Sequence, residues 1–143
     1  DSKAQIFVMM MDLDHFKQIN DNFGHHAGDN SLMYFARTLK NCLRSNDAVG
    51  RMGGEEFAVV LTGNGIETTS VAERIRQITE DSRISFKNAT ISFTVSIGIT
   101  KLDKTETDIT DALKRADRAM YRAKKEGRNR VCVFSEEKDG DGV

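Results

Sequence analysis

Hydrophobic positions along the chain follow two periods, one of two residues and one of about 3.6 residues. Residues 5–11 form a continuous apolar run that ends at Asp12, Leu13 and Asp14, as a buried central strand does where it meets a loop. Residues 90–100 alternate apolar and polar side chains, which predicts one half-buried strand. Further strands are predicted at 47–51, 57–61, 83–87 and 131–134, and helices at 15–22, 29–43, 67–81 and 108–127.

The predicted order of elements is β-α-α-β-β-α-β-β-α-β, with a glycine-containing break at 24–28 between the first two helices. Strand hairpins mixed with crossover helices predict an α+β domain of the ferredoxin-like kind. Its central sheet is expected to be mixed, largely antiparallel and flanked by helices. We assign residues 1–135 to this domain and expect residues 136–143 to be a polar, mobile tail.

A hairpin with an unusual acidic turn is predicted at 51–57, Arg-Met-Gly-Gly-Glu-Glu-Phe. Gly53 and Gly54 predict a tight turn between two strands, because both turn residues would then need positive φ. Glu55 and Glu56 follow where the backbone is bare enough for a polyanion to approach. Neighbouring carboxylates repel each other and favour a shared cation or proton, although a solvated hairpin tip is the alternative.

Composition limits the classes of function. The 143 residues are 38% hydrophobic and 30% charged with a net charge of −1, so a core can form and no basic field favours nucleic acid. No apolar run reaches the length of a membrane span, and no signal peptide is recognisable, so we expect a cytoplasmic domain that contacts no membrane. Cys42 and Cys132 lack paired spacing and are expected to be buried, reduced thiols.

Two carboxylates are candidate metal ligands. If the first strand lies beside the hairpin, Asp12 and Glu55 converge on one point. Hard oxygen ligands suit Mg²⁺, and phosphoryl transfer needs such a cation against the charge of the phosphate. The alternative is that Asp12 and Asp14 only cap the helix predicted to begin at His15.

Other polar residues have both structural and binding interpretations. Lys124 and Arg128, near the end of the last helix, could interact with its dipole or hold phosphates. Asn20 and Asp29 flank the glycine break, where each could cap a helix or line a pocket for a base. Arg44 and Asp47 could together bind a guanine, but an Arg-x-x-Asp tetrapeptide is common by chance, so only its placement is informative.

Five motifs in register resemble the GGDEF-domain family, the diguanylate cyclases of bacteria. They are 12–21, Gly24-His25 with Gly28-Asp29, the GGEEF form of the name motif at 53–57, 95–99, and 116–124 with 127–129. The resemblance implies a fold like the polymerase palm and the class III nucleotidyl cyclases. It also implies the joining of two GTP molecules into cyclic di-GMP with release of two pyrophosphates.

The resemblance also implies roles for individual residues. Asp12 and Glu55 would hold Mg²⁺, with Mn²⁺ as an alternative, and the Leu13 carbonyl would be a further ligand. Glu56 would assist deprotonation of the 3′-hydroxyl or help to hold a second metal ion. Asn20 would bind the guanine edge together with Asp29. The remaining substrate contacts would come from the amides of Phe16 and Lys17, from Lys124 and Arg128, and from Gly53 and Gly54, which let the nucleotide lie against the hairpin.

Control of the activity is also implied by the resemblance. Five residues separate Asp47 from Gly53, the family's spacing for an inhibitory product site formed by Arg44 and Asp47. We therefore expect feedback inhibition by cyclic di-GMP that cross-links two domains. Turnover would need an antiparallel homodimer, since each domain binds one GTP.

The start of the chain departs from the family pattern. The family's turn and helix ahead of the first strand are missing, so we expect a trimmed domain from a longer protein. That protein would carry an upstream sensory domain and could be membrane-anchored. The alternative functions are a non-catalytic sensor of GTP or cyclic di-GMP, and a cyclase with an altered base preference. Because Asp29 suits the N–H groups of guanine, it favours GTP as the substrate.

Overall fold

A computed structural model describes residues 4–140 of the chain. The strands are β1 Gln5–Leu13, β2 Ala48–Gly53, β3 Glu56–Gly63, β4 Ile84–Phe86, β5 Ala89–Ile91, β6 Val95–Lys101 and β7 Arg130–Val133. The helices are α1 Phe16–Phe23, α2 His25–Cys42, α3 Gly65–Asp81, α4 Thr110–Lys125 and α5 Glu136–Asp139. Within the described range, none of these helices combines the length and apolar character that a membrane crossing requires.

Strand β1 is the central strand of a five-stranded sheet with the order β2-β3-β1-β6-β7. It is antiparallel to both β3 and β6, whereas β7 joins the far edge parallel to β6. The strand is buried from Phe7 to Leu13, with Val8, Met9 and Met11 fully inaccessible to solvent, whereas Ile6 is exposed. The predicted α+β class, with a largely antiparallel sheet flanked by helices, is confirmed.

The two faces of β1 pack against different helices. Met9 and Met11 belong to the main core with residues of α2 and α3, whereas Val8 and Met10 pack against Ala116 and neighbouring residues of α4. Side chains alternate between faces along a strand, so the next even position, Asp12, lies on the α4 face. The end of β1 therefore places a carboxylate beneath α4.

The first two helices are separated by less than the sequence predicted. Only Gly24, with φ of 94°, interrupts the helical conformation, and α2 begins at His25 rather than at residue 29. Gly28 lies inside α2 because it packs against α1, not because it breaks the helix. Asp29 is consequently a helical residue one turn into α2.

The single strand predicted at 90–100 is wrong. Residues 89–91 pair with β4 in a separate two-stranded hairpin, and the main-sheet strand begins only at Val95. Phe93 lies between the two strands but is buried in the core. Its burial continues the period of two across the break, so the pattern alone could not reveal it.

The mobile tail predicted from residue 136 is wrong for the part that the structure describes. Residues Glu136–Asp139 form α5, and the Asp139 carboxylate is buried against α4. Arg122 Nε donates to Asp139 Oδ1 at 2.8 Å, which attaches α5 to α4. Residues 141–143 lie outside the described range, and the domain boundary at 135 stays a prediction. Cys42 and Cys132 are both buried, free thiols, as expected.

Candidate active site

The acidic turn lies one residue later than the sequence predicted. Gly53 is the last residue of β2 and pairs with Glu56, so Gly54 and Glu55 form the tip. Gly53 and Gly54 have φ of 155° and 45°, values that favour glycine in both cases. Arg51 Nε donates to the Gly54 carbonyl at 2.8 Å and braces the turn. Glu55 is thus held at the tip of the hairpin rather than beyond it.

The acidic turn contacts the end of β1. Asp12 is the cross-strand partner of Glu56, so these side chains lie on one face of the sheet. The Leu13 amide donates to the Glu55 carbonyl at 3.3 Å, which joins the tip to the same strand. Three carboxylates, from Asp12, Glu55 and Glu56, therefore lie around the point where β1 ends.

Asp12 is a buried carboxylate that lies near charges of both signs. Burial raises the pKa of Asp12 to about 6, the nearby Lys124 opposes that rise, and Glu55 and Glu56 add to it. Lys124 Nζ lies 3.1 Å from Asp12 Oδ1. A site with this charge balance favours an additional cation.

Asp14 does not cap a helix, and the capping interpretation is wrong for this residue. His15, with φ of 59°, precedes α1, and no side chain in the described part of the chain caps that helix. The Asp14 carboxylate instead accepts hydrogen bonds from Thr94 Oγ1 at 2.7 Å, Ser96 Oγ at 2.7 Å and the backbone amide of Asn129 at 3.0 Å. Sequence reasoning missed this cluster, although Ser96, a polar residue within the apolar run 95–99, was a signal.

Two polar side chains that could bind a base lie where α1 packs against α2. The Asn20 Oδ1 atom is buried and has no hydrogen-bond partner within residues 4–140. It lies against Gly28, where a Cβ would be only 1.8 Å from that oxygen. Asp29 follows Gly28 and is exposed. An unsatisfied carbonyl oxygen beside an exposed carboxylate suits the N–H groups of a purine.

The predicted phosphate-binding residues lie on two elements. Phe16 and Lys17 occupy the first turn of α1, where backbone N–H groups have no acceptor within the helix. The Lys17 side chain is exposed and paired with Asp21 at 2.9 Å. Lys124 reaches Asp12 from the last turn of α4, and Arg128 is exposed on the following turn.

Arg44 and Asp47 form a compact unit at the start of β2. The Arg44 amide donates to Asp47 Oδ2 at 2.8 Å, and the Arg44 guanidinium donates to the Thr62 carbonyl. The Asp47 side chain is only 3% exposed, and its Oδ1 atom has no partner in the described part of the chain. Six residues of extended chain place this unit about 20 Å along β2 from the acidic turn.

The residues around Asp12 fit a divalent metal ion. Across residues 4–140, no group of three or more His, Cys, Asp or Glu side chains forms a complete metal-binding set. Mg²⁺, however, commonly takes one or two protein carboxylates and fills its shell with water and phosphate oxygens. Asp12 and Glu55, with the Leu13 carbonyl, would provide such a partial set. The pKa of Asp12 is raised mainly by burial and further by Glu55 and Glu56, and a bound cation would stabilise its charged form.

Comparison with known proteins identifies the family. A family model described as "Diguanylate cyclase, GGDEF domain" matches residues 1–130. The chain belongs to the GGDEF domain family. Diguanylate cyclase A of Treponema denticola is 39% identical over 134 residues, which are 93% of this chain and 36% of that protein. DgcP, a diguanylate cyclase of Pseudomonas aeruginosa, is 41% identical over 131 residues, 91% of this chain and 19% of that protein. This GGDEF domain thus spans well under half of these relatives.

Solved structures share the fold of this GGDEF domain. The GGDEF domain of YfiN (TpbB) from Pseudomonas aeruginosa superposes with a TM-score of 0.88 at 33% identity, over 95% of this chain and 80% of that one. The GGDEF domain of DgcB from Caulobacter crescentus, in complex with c-di-GMP, gives 0.86 at 30% identity, over 91% and 78%. The active GGEEF domain of a diguanylate cyclase from Vibrio cholerae gives 0.82 at 35% identity, over 91% and 83%.

Proposed function

We propose that this GGDEF domain is a diguanylate cyclase that joins two GTP molecules into cyclic di-GMP and releases two pyrophosphates. One observation carries the proposal. Asp12, a buried carboxylate, lies at the end of β1 beside the acidic turn with Lys124 against it. Within a GGDEF domain, this cluster supplies carboxylates that can hold a metal ion and a cationic side chain that can bind the phosphates of a nucleoside triphosphate.

The acidic side of the cluster serves the metal ion. Asp12, Glu55 and the Leu13 carbonyl would hold Mg²⁺, or Mn²⁺ in its place. When bound, the ion would supply positive charge that stabilises the negative charge of the triphosphate during phosphoryl transfer. Glu56, the cross-strand neighbour of Asp12, remains beside the ligands and is available to accept a proton.

The remaining residues bind and orient GTP. Asn20 and Asp29 hydrogen-bond the guanine edge. The phosphates bind to the free backbone amides of the first turn of α1 and to two cationic side chains. Gly53 and Gly54 leave open space beside the backbone, since a Cβ at either position would have no atom within 4 Å in the described structure. The residues that hold the phosphates are Phe16, Lys17, Lys124 and Arg128.

The bond changes require two copies of the domain. The 3′-oxygen of one GTP attacks the α-phosphorus of the other, the bond from that phosphorus to the β-phosphate breaks, and pyrophosphate leaves. Glu56 takes the proton of the 3′-hydroxyl. The 3′-oxygen of the second GTP attacks the α-phosphorus of the first in the same way, releases the second pyrophosphate and closes the ring. An antiparallel homodimer must therefore bring two sites face to face. Because the proposed substrate is GTP, we propose a cytoplasmic location for the domain; an upstream sensory domain is a further expectation from the family.

The first experiment is incubation of the domain with GTP and Mg²⁺, at high protein concentration and as a fusion to a dimeric coiled coil. Chromatography should show one cyclic di-GMP for every two pyrophosphates, with faster turnover in the fusion. If the fused dimer binds GTP and yields no product, the domain is a sensor rather than a cyclase. If neither form binds GTP, both functions are contradicted.

Product inhibition depends on Arg44. We propose that Arg44 and Asp47 bind cyclic di-GMP, since the Asp47 carboxylate keeps an unsatisfied oxygen beside an exposed guanidinium. Arg44→Ala should raise the inhibition constant of cyclic di-GMP at least tenfold, because a charge-assisted contact to the product is lost. The constant is obtained from initial rates of each variant over a range of added product.

A matched control for Arg44 lies one turn earlier. Lys40→Ala removes an exposed cation from the last turn of α2 and should leave the inhibition constant within twofold. Unchanged inhibition in Arg44→Ala would show that the product binds elsewhere or does not regulate the domain.

A further inference from the structure

Asp14 is the most enclosed carboxylate near the candidate active site, at 1% exposure. Its two oxygens have separate sets of partners. Oδ2 accepts from Thr94 Oγ1 at 2.7 Å and from the Asn129 amide at 3.0 Å. Oδ1 accepts from Ser96 Oγ at 2.7 Å and from Lys124 Nζ at 3.5 Å. Each oxygen thus has two donors, which is the capacity of a carboxylate oxygen.

Asp12 and Asp14 therefore differ in what they can bind. The lone pairs of Asp14 are occupied by donors from β6 and its preceding loop, from α4 and from the turn before β7. Among the described residues, Asp12 is paired with Lys124 at 3.1 Å, and Asp12 lies beside the acidic turn. A cation at Asp12 would compete with the Lys124 ammonium, whereas a cation at Asp14 would have to displace several hydrogen-bond donors.

The turn that carries Arg128 also depends on Asp14. Gly127, Arg128 and Asn129 have φ of 128°, 65° and 50°, so two consecutive residues with side chains adopt the left-handed conformation. Such residues persist only where surrounding contacts hold them. The bond from the Asn129 amide to Asp14 Oδ2 is one such contact, and the bond from Arg76 Nη1 to Asn129 Oδ1 at 2.9 Å is another.

We propose that Asp14 is a positioning residue for the triphosphate and not a metal ligand. Its Oδ1 atom keeps the Lys124 ammonium at the end of β1, and its Oδ2 atom holds the turn from which Arg128 projects. When Asp12 is engaged by a metal ion, Asp14 still retains Lys124 beside the phosphates. The inference rests on the proposed function, since it assumes that Lys124 and Arg128 bind the phosphates of GTP.

Asp14→Asn tests the contact between Asp14 Oδ1 and the Lys124 ammonium and changes little else. The amide oxygen can occupy the Oδ2 position and keep the bonds from Thr94 and Asn129. The amide nitrogen then replaces Oδ1, where the Ser96 hydroxyl can turn to accept from it, but the Lys124 ammonium cannot. The substitution therefore removes one contact selectively and keeps the remaining three.

The measurement is the affinity for 3′-deoxy-GTP, which lacks the attacking hydroxyl, by calorimetry in EDTA and again in Mg²⁺. Asp14→Asn should bind about tenfold more weakly under both conditions, because the contact between Lys124 and phosphate does not involve the metal. Asp12→Asn should lose some affinity in EDTA, because Asp12 also contacts Lys124 at 3.1 Å, and should lose more in Mg²⁺. The loss in Asp12→Asn therefore depends on the metal, whereas the loss in Asp14→Asn does not. Lys124→Met should reproduce the loss in EDTA, and the double variant Asp14→Asn/Lys124→Met should bind no more weakly than Lys124→Met alone.

Several results would overturn the proposal. If Asp14→Asn binds with wild-type affinity under both conditions, Asp14 is dispensable. If its loss of affinity is confined to Mg²⁺, Asp14 is a metal ligand. A further tenfold loss in the double variant would show a role independent of Lys124. Ser96→Ala keeps both Asp14 and Lys124, so its affinity should stay within twofold. If Asp14→Asn does not fold, Lys124→Met decides the matter, since wild-type affinity of that variant in EDTA would remove the contact with phosphate that Asp14 is proposed to support. A tenfold loss in Ser96→Ala would show that the hydrogen-bonded cluster acts only as structure. If the wild-type domain bound no 3′-deoxy-GTP in Mg²⁺, the proposed function itself would fail.

Discussion

Glu55→Gln is expected to reduce cyclic di-GMP synthesis about 1,000-fold. The substitution keeps the size of the side chain at the tip of the hairpin and removes one of the two carboxylates proposed to hold Mg²⁺. Loss of the charge stabilisation that a bound metal supplies is worth several kcal/mol, or about three powers of ten in rate. The rate is measured on the coiled-coil dimer by chromatography of products from GTP and Mg²⁺.

Glu56→Gln should lower the rate for a different reason, which the same assay separates. A lost general base costs about 100-fold or more, while affinity for 3′-deoxy-GTP in Mg²⁺ stays near the wild-type value. Glu55→Gln should instead lose the part of that affinity that depends on Mg²⁺. Glu137→Gln, at an exposed position of α5, is the control and should leave the rate unchanged. A rate within threefold of wild type in either turn variant would remove that residue from the mechanism.

Gly98→Ala should destabilise the fold by about 3 kcal/mol. Gly98 lies in β6 directly beneath α4, where an added Cβ would be 2.1 Å from the Ala116 carbonyl oxygen and 2.3 Å from the Met120 amide nitrogen. These are backbone atoms, so no side-chain rotation can relieve the overlap and the helix must shift. Overpacking of this kind costs about 1–3 kcal/mol, and a backbone obstacle places Gly98 at the upper end. Urea unfolding of both proteins measures the difference.

Gly50→Ala is the matched control for Gly98, because it adds the same methyl group to β2. A Cβ at Gly50 would meet no atom within 4 Å in the described structure, so the change should stay within about 0.5 kcal/mol. A loss below 1 kcal/mol in Gly98→Ala would mean that α4 tolerates displacement from the sheet. Since α4 carries Lys124, we also expect Gly98→Ala to weaken 3′-deoxy-GTP binding.

Hydrophobic period and turn chemistry predicted the types of most elements. Residues 5–11 form a central strand because an uninterrupted apolar run has to be covered on both faces, and the glycine pair at 53–54 does lie at a hairpin. The errors occurred where tertiary contacts override local pattern. Phe93 is buried without belonging to a strand, and Gly28 remains helical because α1 packs against it.

The motifs also located most of the candidate site, since Asp12, Glu55 and Glu56 each stand in short contiguous signatures. The sequence predicted that β1 and the hairpin would meet if they were neighbours. The register of β1 with β3 then established which residues face each other, Asp12 and Glu56. Register depends on how whole strands pair, and no single strand contains that information.

The sequence alone determined the family and most of the order of elements, and it predicted residues for nucleotide binding, because these follow from contiguous patterns and motifs. Only the tertiary structure decided what Asp14 does. A buried carboxylate must find donors, and those of Asp14 come from residues 80 to 115 positions away in the chain. No local pattern connects them; packing of the sheet beneath α4 brings them together and separates the role of Asp14 from that of Asp12.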